Sequence, residues 1–227
     1  LKQQRKTVVL LHGIKRTSEM MEPLALALTR LDYTVDNIDY PSTLHTIEAL
    51  AEYVYKEIYH RYDFHNSLLH FVGHSLGALI IRILLHNHRP PNLGRVVMIA
   101  PPNQGTIVVD FFRRFNFYKR WFGPAGQQLG TGIDGVFQKL SSVDYPCGII
   151  AGDRSIDPWF SWFLFRTAND GKVSVASTKL AGMTDHIVVH DSHAKLPKNP
   201  QVIELVTHFL AHGHFIKPKC DIPRNVS

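Results

Sequence analysis

The stretch from residue 68 to residue 85 constrains this chain most. Leu68-Leu69-His70-Phe71-Val72 is an apolar run of strand length, Gly73-His74-Ser75-Leu76-Gly77 is a glycine-flanked turn, and Ala78-Leu79-Ile80-Ile81-Arg82-Ile83-Leu84-Leu85 reads as a buried helix. A strand that turns within five residues into an apolar helix is half of a crossover unit, which implies a parallel sheet covered by helices. The two glycines are needed because a side chain at either place would collide with the neighbouring strand or helix. The serine between them is held in a strained conformation, its hydroxyl facing outward at the positive end of a helix. This is the pattern of a nucleophile elbow, and Ser75 is the candidate nucleophile.

The remaining sequence repeats the alternation. Strands are expected at Thr7 to Leu11, Val35 to Tyr40, Leu68 to Val72, Val96 to Ala100, Gly148 to Ala151 and His186 to Val189. Between them, Glu19 to Leu31 reads as a helix capped by Ser18, with Met21, Leu24, Ala25 and Leu28 on one face. Thr46 to Tyr59 is a second helix, its face formed by Ile47, Leu50, Ala51, Val54 and Ile58, and Val202 to Ala211 closes the chain as a third. The fold class is therefore α/β, a predominantly parallel sheet of about six strands with helices on both faces. At 227 residues, with no Pro/Gly/Ser-rich linker, the chain is expected to form a single domain over 1–227.

A formal charge of +6 without blocks of like charge argues against a nucleic-acid partner. No apolar run approaches the roughly 20 residues needed to cross a bilayer. The start lacks a signal-peptide apolar core, which favours a cytoplasmic location and leaves a removed leader open. Cys147 and Cys220 can be neither paired nor kept apart from sequence. Internal repeats are absent, and Lys217 to Pro223 reads as an extended tail.

Taken together, the elbow, Val8-Val9-Leu10-Leu11-His12-Gly13, Ala100-Pro101-Pro102-Asn103-Gln104-Gly105-Thr106 and Asn169-Asp170-Gly171-Lys172-Val173-Ser174-Val175 resemble the α/β-hydrolases, and within them the small bacterial lipases and esterases. The resemblance covers nearly the whole chain. It implies that residues 8–13 form the first core strand and the oxyanion turn, and that residues 169–175 form the acid turn, with Ser174 where the family often has proline. In this fold the base and its orienting carboxylate follow the nucleophile in the order Ser, Asp or Glu, His. His193, just past the last expected strand, fits the base, with His190 a nearer and His186 a more distant rival. Asp170 fits the acid through the acid-turn match, although Asp153 also follows an apolar strand directly and Asp157 lies close by. The implied oxyanion donors are the backbone N–H groups of Ile14 and Leu76. His12 is expected to hold its loop by hydrogen bonds, and Lys15 and Arg16 to be solvated charges. A metal at His186, His190 and His193 is disfavoured, because the first two would share a strand face about 13 Å apart.

Half of the aromatic side chains fall in two short stretches, Phe111 to Phe122 and Trp159 to Phe165. The family inserts caps at both places, so cap insertions are expected over about 107–130 and 156–168. At 100° per residue Val108, Phe111, Phe112, Phe115, Tyr118 and Phe122 share one helix face, with Phe117 and Trp121 outside it. Phe111, Phe112, Phe115, Tyr118, Phe122, Trp159, Phe160, Trp162 and Phe163 are the candidate acyl pocket or lid. The basic residues beside the first stretch suggest peripheral contact with a membrane surface.

The expected activity is a serine carboxylic-ester hydrolase acting on medium or long acyl chains, with Ser75, His193 and Asp170 as its triad and no cofactor. The substrate would be a small-molecule or lipid ester, and the oligomeric state is left open. Acyl thioesterase or acyltransferase chemistry could use the same triad; a non-catalytic lipid-binding protein and a cofactor-free haloperoxidase-type activity are the readings from other classes.

Overall fold

The computed structural model describes residues 6–62, 67–132, 140, 142–155 and 164–217. Six strands, β1 (Lys6–Leu11), β2 (Thr34–Ile38), β3 (Leu68–His74), β4 (Leu93–Ile99), β5 (Cys147–Gly152) and β6 (Asp185–Val189), form one sheet in the order β2-β1-β3-β4-β5-β6. Every neighbouring pair is parallel. Parallel neighbours require crossovers, and these are α1 (Glu22–Thr29), α2 (Ile47–Arg61), α3 (Leu76–Asn87) and, after β4, the pair α4 (Ile107–Phe112) and α5 (Asn116–Gln127). A short α6 (Val175–Thr178) precedes β6, and α7 (Pro200–His212) follows it.

Alternation along the strands divides the core in two. Val9, Leu11, Leu69, Phe71, Val96, Met98 and Ile149 face α2 and α3. Val8, Leu10, Val72, Val97, Ile99 and Ile150 face α1 and α7, where Phe209 and Phe215 fill the layer. The apolar face expected for α2 is the one buried, and its cap is Thr46, whose hydroxyl accepts from the Ala49 N–H at 3.3 Å. Truncating one of these fully buried leucines, such as Leu50, to alanine should cost about 2–5 kcal/mol. At the sheet edge Arg61 reaches back to the largely buried Asp36 at 2.7 Å. Burial pushes the Asp36 carboxyl up, and Arg61 opposes that rise.

Two helical expectations need correction. The first helix begins at Glu22 and not at Glu19, because Pro23 is accommodated in a first turn, and Ser18–Met20 forms a separate 3₁₀ turn. Ser18 does not cap it; both its N–H and its hydroxyl bind the Asp39 carboxylate. The aromatic stretch is two helices and not one: Phe115 is extended (φ −94°, ψ 131°), and α5 is itself kinked at Gly123 (φ 62°). A Cβ on Gly123 would lie 1.7 Å from the Thr43 carbonyl oxygen, so the kink is fixed by a loop 80 residues away. Smaller shifts occur at strand ends: β2 stops at Ile38, freeing Tyr40 to stack on His12, and β4 starts earlier, at Leu93. Cys147 is a buried free thiol, whose pKa burial pushes up to about 12. Among the described residues no helix is long and apolar enough to cross a membrane.

Candidate active site

The loops at the carboxyl ends of β1, β3, β4 and β6 meet above the sheet, where this class of fold places its ligands. Ser75 directly follows β3 with φ 53° and ψ −116°, an uncommon region for a residue with a side chain. The turn is locked from both sides. Its N–H donates to the Ile99 carbonyl at 2.9 Å, and a Cβ on Gly77 would lie 2.4 Å from the Leu11 carbonyl oxygen. Glycine at 77 thus lets the elbow press against the end of β1, beside the Gly13-Ile14 turn.

The structure brings Ser75, His193 and Asp170 into one hydrogen-bonded row. The Ser75 hydroxyl lies 3.0 Å from His193 Nε2, and His193 Nδ1 lies 2.7 Å from Asp170 Oδ2. With Nδ1–H donating to the carboxylate, Nε2 is left to accept from the serine. The second Asp170 oxygen accepts the N–H groups of Lys172 and Val173 at 2.9 and 2.8 Å, and the His193 N–H donates to the Asp170 carbonyl. Acid and base are therefore joined through backbone as well as side chain. Ser174, where the resembled family has proline, accepts from the Ser177 N–H and caps α6. Thr106 ties the turn to the start of α4 by donating to the Lys172 carbonyl.

The segment after β4 is held from below by Arg82, a buried cation that donates to the Asn103 side chain at 3.0 Å and to the Leu140 carbonyl. Asn103 in turn donates to the Thr178 carbonyl at 2.7 Å. Burial lowers the Arg82 pKa to about 10, so the strut stays charged at neutral pH. Its place is to fix Pro101–Thr106 against α6 and so to set where α4 begins.

His74, inside the elbow, is a feature that the motif alone left without a role. Its ring is 4.8 Å from that of His193, and its Nε2 lies 3.0 Å from the His193 carbonyl oxygen. Nε2 must therefore carry the hydrogen, which leaves Nδ1 an acceptor, buried and without a partner among the described residues. Burial, reinforced by the nearby His193, pushes its pKa well below the ordinary imidazole value. Adjacency to Ser75 was the available signal; the contact 119 residues away was not.

The rival candidates lie elsewhere. Asp153, after β5, and His190, after β6, pair with each other at 2.8 Å on the exposed side of the two loops. His186 bonds the Thr178 hydroxyl at 3.0 Å. Asp157 lies outside the described residues. His12 is fully buried, stacked 4.1 Å from Tyr40, whose hydroxyl donates to the His12 carbonyl, so it braces the loop entering Gly13. Among the described residues no group of three or more His, Cys, Asp or Glu side chains could hold a metal ion.

Ser75 and His193 open onto a cavity of about 670 Å³, also lined by Ile14, Val108, Val109, Phe112, Phe117, Tyr118, Trp121, Phe122 and Leu129. Its size is that of a small-molecule site and its wall is mostly apolar. The helix break changes which aromatics take part: Phe117 and Trp121, outside the expected stripe, line it, while Phe111 and Phe115 do not. Those two pack on Phe112 and on each other beneath the Arg114 guanidinium. Trp159, Phe160, Trp162 and Phe163 lie outside the described residues.

A sequence family described as "Putative serine esterase (DUF676)" matches residues 2–98, a segment that contains the elbow. No curated protein matches the chain in sequence. Among solved structures, the mature lipase BlEst2 of Bacillus licheniformis superposes with a TM-score of 0.69 at 16% identity, over 95% of this chain and 96% of that one. The metagenomic carboxyl esterase MGS0156 gives 0.70 at 15%, over 86% and 67%. The phospholipase PlaB of Legionella pneumophila gives 0.62 at 18%, over 77% of this chain and only 45% of its own length. The six-stranded parallel sheet, its elbow and these superpositions make the protein an α/β-hydrolase in fold, similar to the bacterial lipases and esterases.

Proposed function

We propose that the protein is a serine carboxylic-ester hydrolase with Ser75, His193 and Asp170 as its triad. The observation that carries this reading is the unbroken row from hydroxyl to imidazole to buried carboxylate, at 3.0 and 2.7 Å, opening on an apolar cavity. Ser75 Oγ attacks the acyl carbon while its proton passes to His193 Nε2. Asp170 holds the imidazole in the tautomer that can take that proton and stabilises the imidazolium formed. The oxyanion of the tetrahedral intermediate is received by the N–H groups of Ile14 and Leu76. Leu76 opens α3, so its N–H has no carbonyl partner within the helix. One such donor is worth about 2.7–4 kcal/mol in the transition state. His193 then protonates the leaving alcohol, and water releases the acyl group by the same route in reverse.

The wall of Val108, Phe112, Tyr118, Phe122 and Leu129 supports a medium or long acyl chain, since each buried methylene contributes about 0.8 kcal/mol. We read residues 1–227 as a single hydrolase domain in which 107–130 acts as a cap over Ser75. Phe115, Phe117 and Trp121 are exposed on this cap, among Arg113, Arg114, Lys119 and Arg120, which supports peripheral contact with a lipid surface. The test is turnover of p-nitrophenyl esters from acetyl to dodecanoyl, with labelling by a serine-directed fluorophosphonate. The reading expects kcat/KM to rise with chain length and labelling to be lost in Ser75→Ala; activity that falls steadily from acetyl onward would sink the acyl-cavity assignment.

A further inference from the structure

A second cavity, of about 610 Å³, adjoins the first and shares Lys15, Arg16, Met20 and Ala194 with it. Its character is opposite. Lys15, Arg16, Lys195 and Lys198 line it, against the carboxylates of Glu19 and Asp191. Asp191 is already engaged by the Ser192 N–H and by the Asn199 side chain, at 2.8 and 2.9 Å. None of the four cations takes part in an ion pair among the described residues. Asn199 and Pro200, at the start of the 13-residue α7, complete the wall, so the positive end of that helix adds to the same field.

Lys15 is held in place at the rim of the cleft, at φ 55°. Its N–H is fixed to Ser42 Oγ at 3.0 Å, and its ammonium rests 3.8 Å from the Trp121 ring centroid. Trp121 belongs to the apolar cavity, so Lys15 stands at the seam between the two. Ala194, on the other side of the seam, follows His193 directly.

An ester has two arms meeting at the carbonyl carbon. With that carbon at Ser75, the apolar cavity takes one arm and the basic cleft lies open to the other. We propose that this cleft binds a phosphate-type anionic head group on the alcohol side of the substrate, the acyl chain filling the aromatic cavity. The proposal rests on the ester-hydrolase reading for the position of the carbonyl, and it narrows the substrate class to anionic amphiphilic esters.

The test is calorimetric binding to Ser75→Ala, which cannot turn the ligand over, of 1-decanoylglycerol 3-phosphate and of 1-decanoylglycerol, both below their micellar concentrations. The phosphate ester should bind about tenfold more tightly, the advantage expected of a charge-assisted contact, and should lose that advantage as ionic strength rises. Adding Lys195→Glu and Lys198→Glu should abolish the difference. Inorganic phosphate should displace the phosphate ester and leave 1-decanoylglycerol bound. Equal affinities, or a preference that survives the double charge reversal, would overturn the proposal. So would displacement of the neutral ester by inorganic phosphate, which would mark a site for a free anion acting on the acyl cavity. Failure of the unmodified protein to label with the serine probe would instead overturn the hydrolase reading, and the binding comparison would still be decided.

Discussion

Two of the histidine–aspartate pairs among the described residues lie on adjacent loops, and they differ in everything except the hydrogen bond. His193–Asp170 and His190–Asp153 have Nδ1-to-carboxylate distances of 2.7 and 2.8 Å. In the first, the side chains are 15% and 1% exposed, and in the second 76% and 35%. The buried aspartate uses its other oxygen for two backbone N–H groups, and the buried histidine turns its free nitrogen to a serine. A carboxylate–imidazole contact is therefore no sign of chemistry by itself. What separates the pairs is exclusion of water, a fixed carboxylate and a serine hydroxyl at the far nitrogen. Exposed pairs of this kind contribute little to stability.

Substitutions can break the contrast, beginning with the largest effect. Ser75→Ala, which leaves the buried pair without its serine, should on the proposed mechanism lower kcat by about a million-fold in ester turnover. Asp170→Asn should lower it about ten-thousand-fold by permitting the wrong tautomer, with the fold retained by circular dichroism. In the next rank is an effect on stability that separates buried from exposed histidines. Burial, helped by Arg95, depresses the His70 pKa to about 4, against an unfolded value near 6.5. The unfolded chain thus takes up the proton first, so the stability tied to neutral His70 is full above pH 6.5 and is lost as pH falls toward 4. The loss should reach about 3 kcal/mol by pH 4, measured by urea unfolding against pH, and His70→Gln should flatten that slope.

A smaller effect is expected at His74. Its tether to the His193 carbonyl holds the loop that carries the proposed base and does not reach Ser75 or the carboxylate. His74→Leu should lower kcat about tenfold with KM little changed, and His74→Gln, which keeps a donor, should recover part of the loss. Asp153→Asn and His190→Gln should change kcat/KM by less than about twofold, the size of other surface substitutions. A large loss there would show that the exposed pair takes part after all.

These contrasts mark what sequence could and could not carry. The α2 face, the positions of the six strands and the strained serine follow from periodicity and turn chemistry, which are local. Asp170 could be put ahead of Asp153 only through the resemblance of its turn, because Asp153 is the one that directly follows an apolar strand and burial is not written in either neighbourhood. The break at Phe115 and the kink at Gly123 were illegible for a related reason: Gly123 bends where Thr43 presses on it, and no window around residue 123 contains Thr43. Phe117 and Trp121 fall outside the expected stripe because a single helix is projected through that break. His74 stood in plain view, but its partner lies on the last loop of the sheet.

On the proposed mechanism, the row of hydrogen bonds joining residue 75 to residues 170 and 193 would also set when activity appears. Pairings this distant in sequence close late in folding, because the intervening chain must lose its freedom before they form. A growing chain has its elbow early, yet Ser75 remains an ordinary alcohol until β6 docks beside β5 and delivers His193. Recovery of the proposed esterase activity on refolding should then trail recovery of helical signal, making turnover a reporter of the docking of β6.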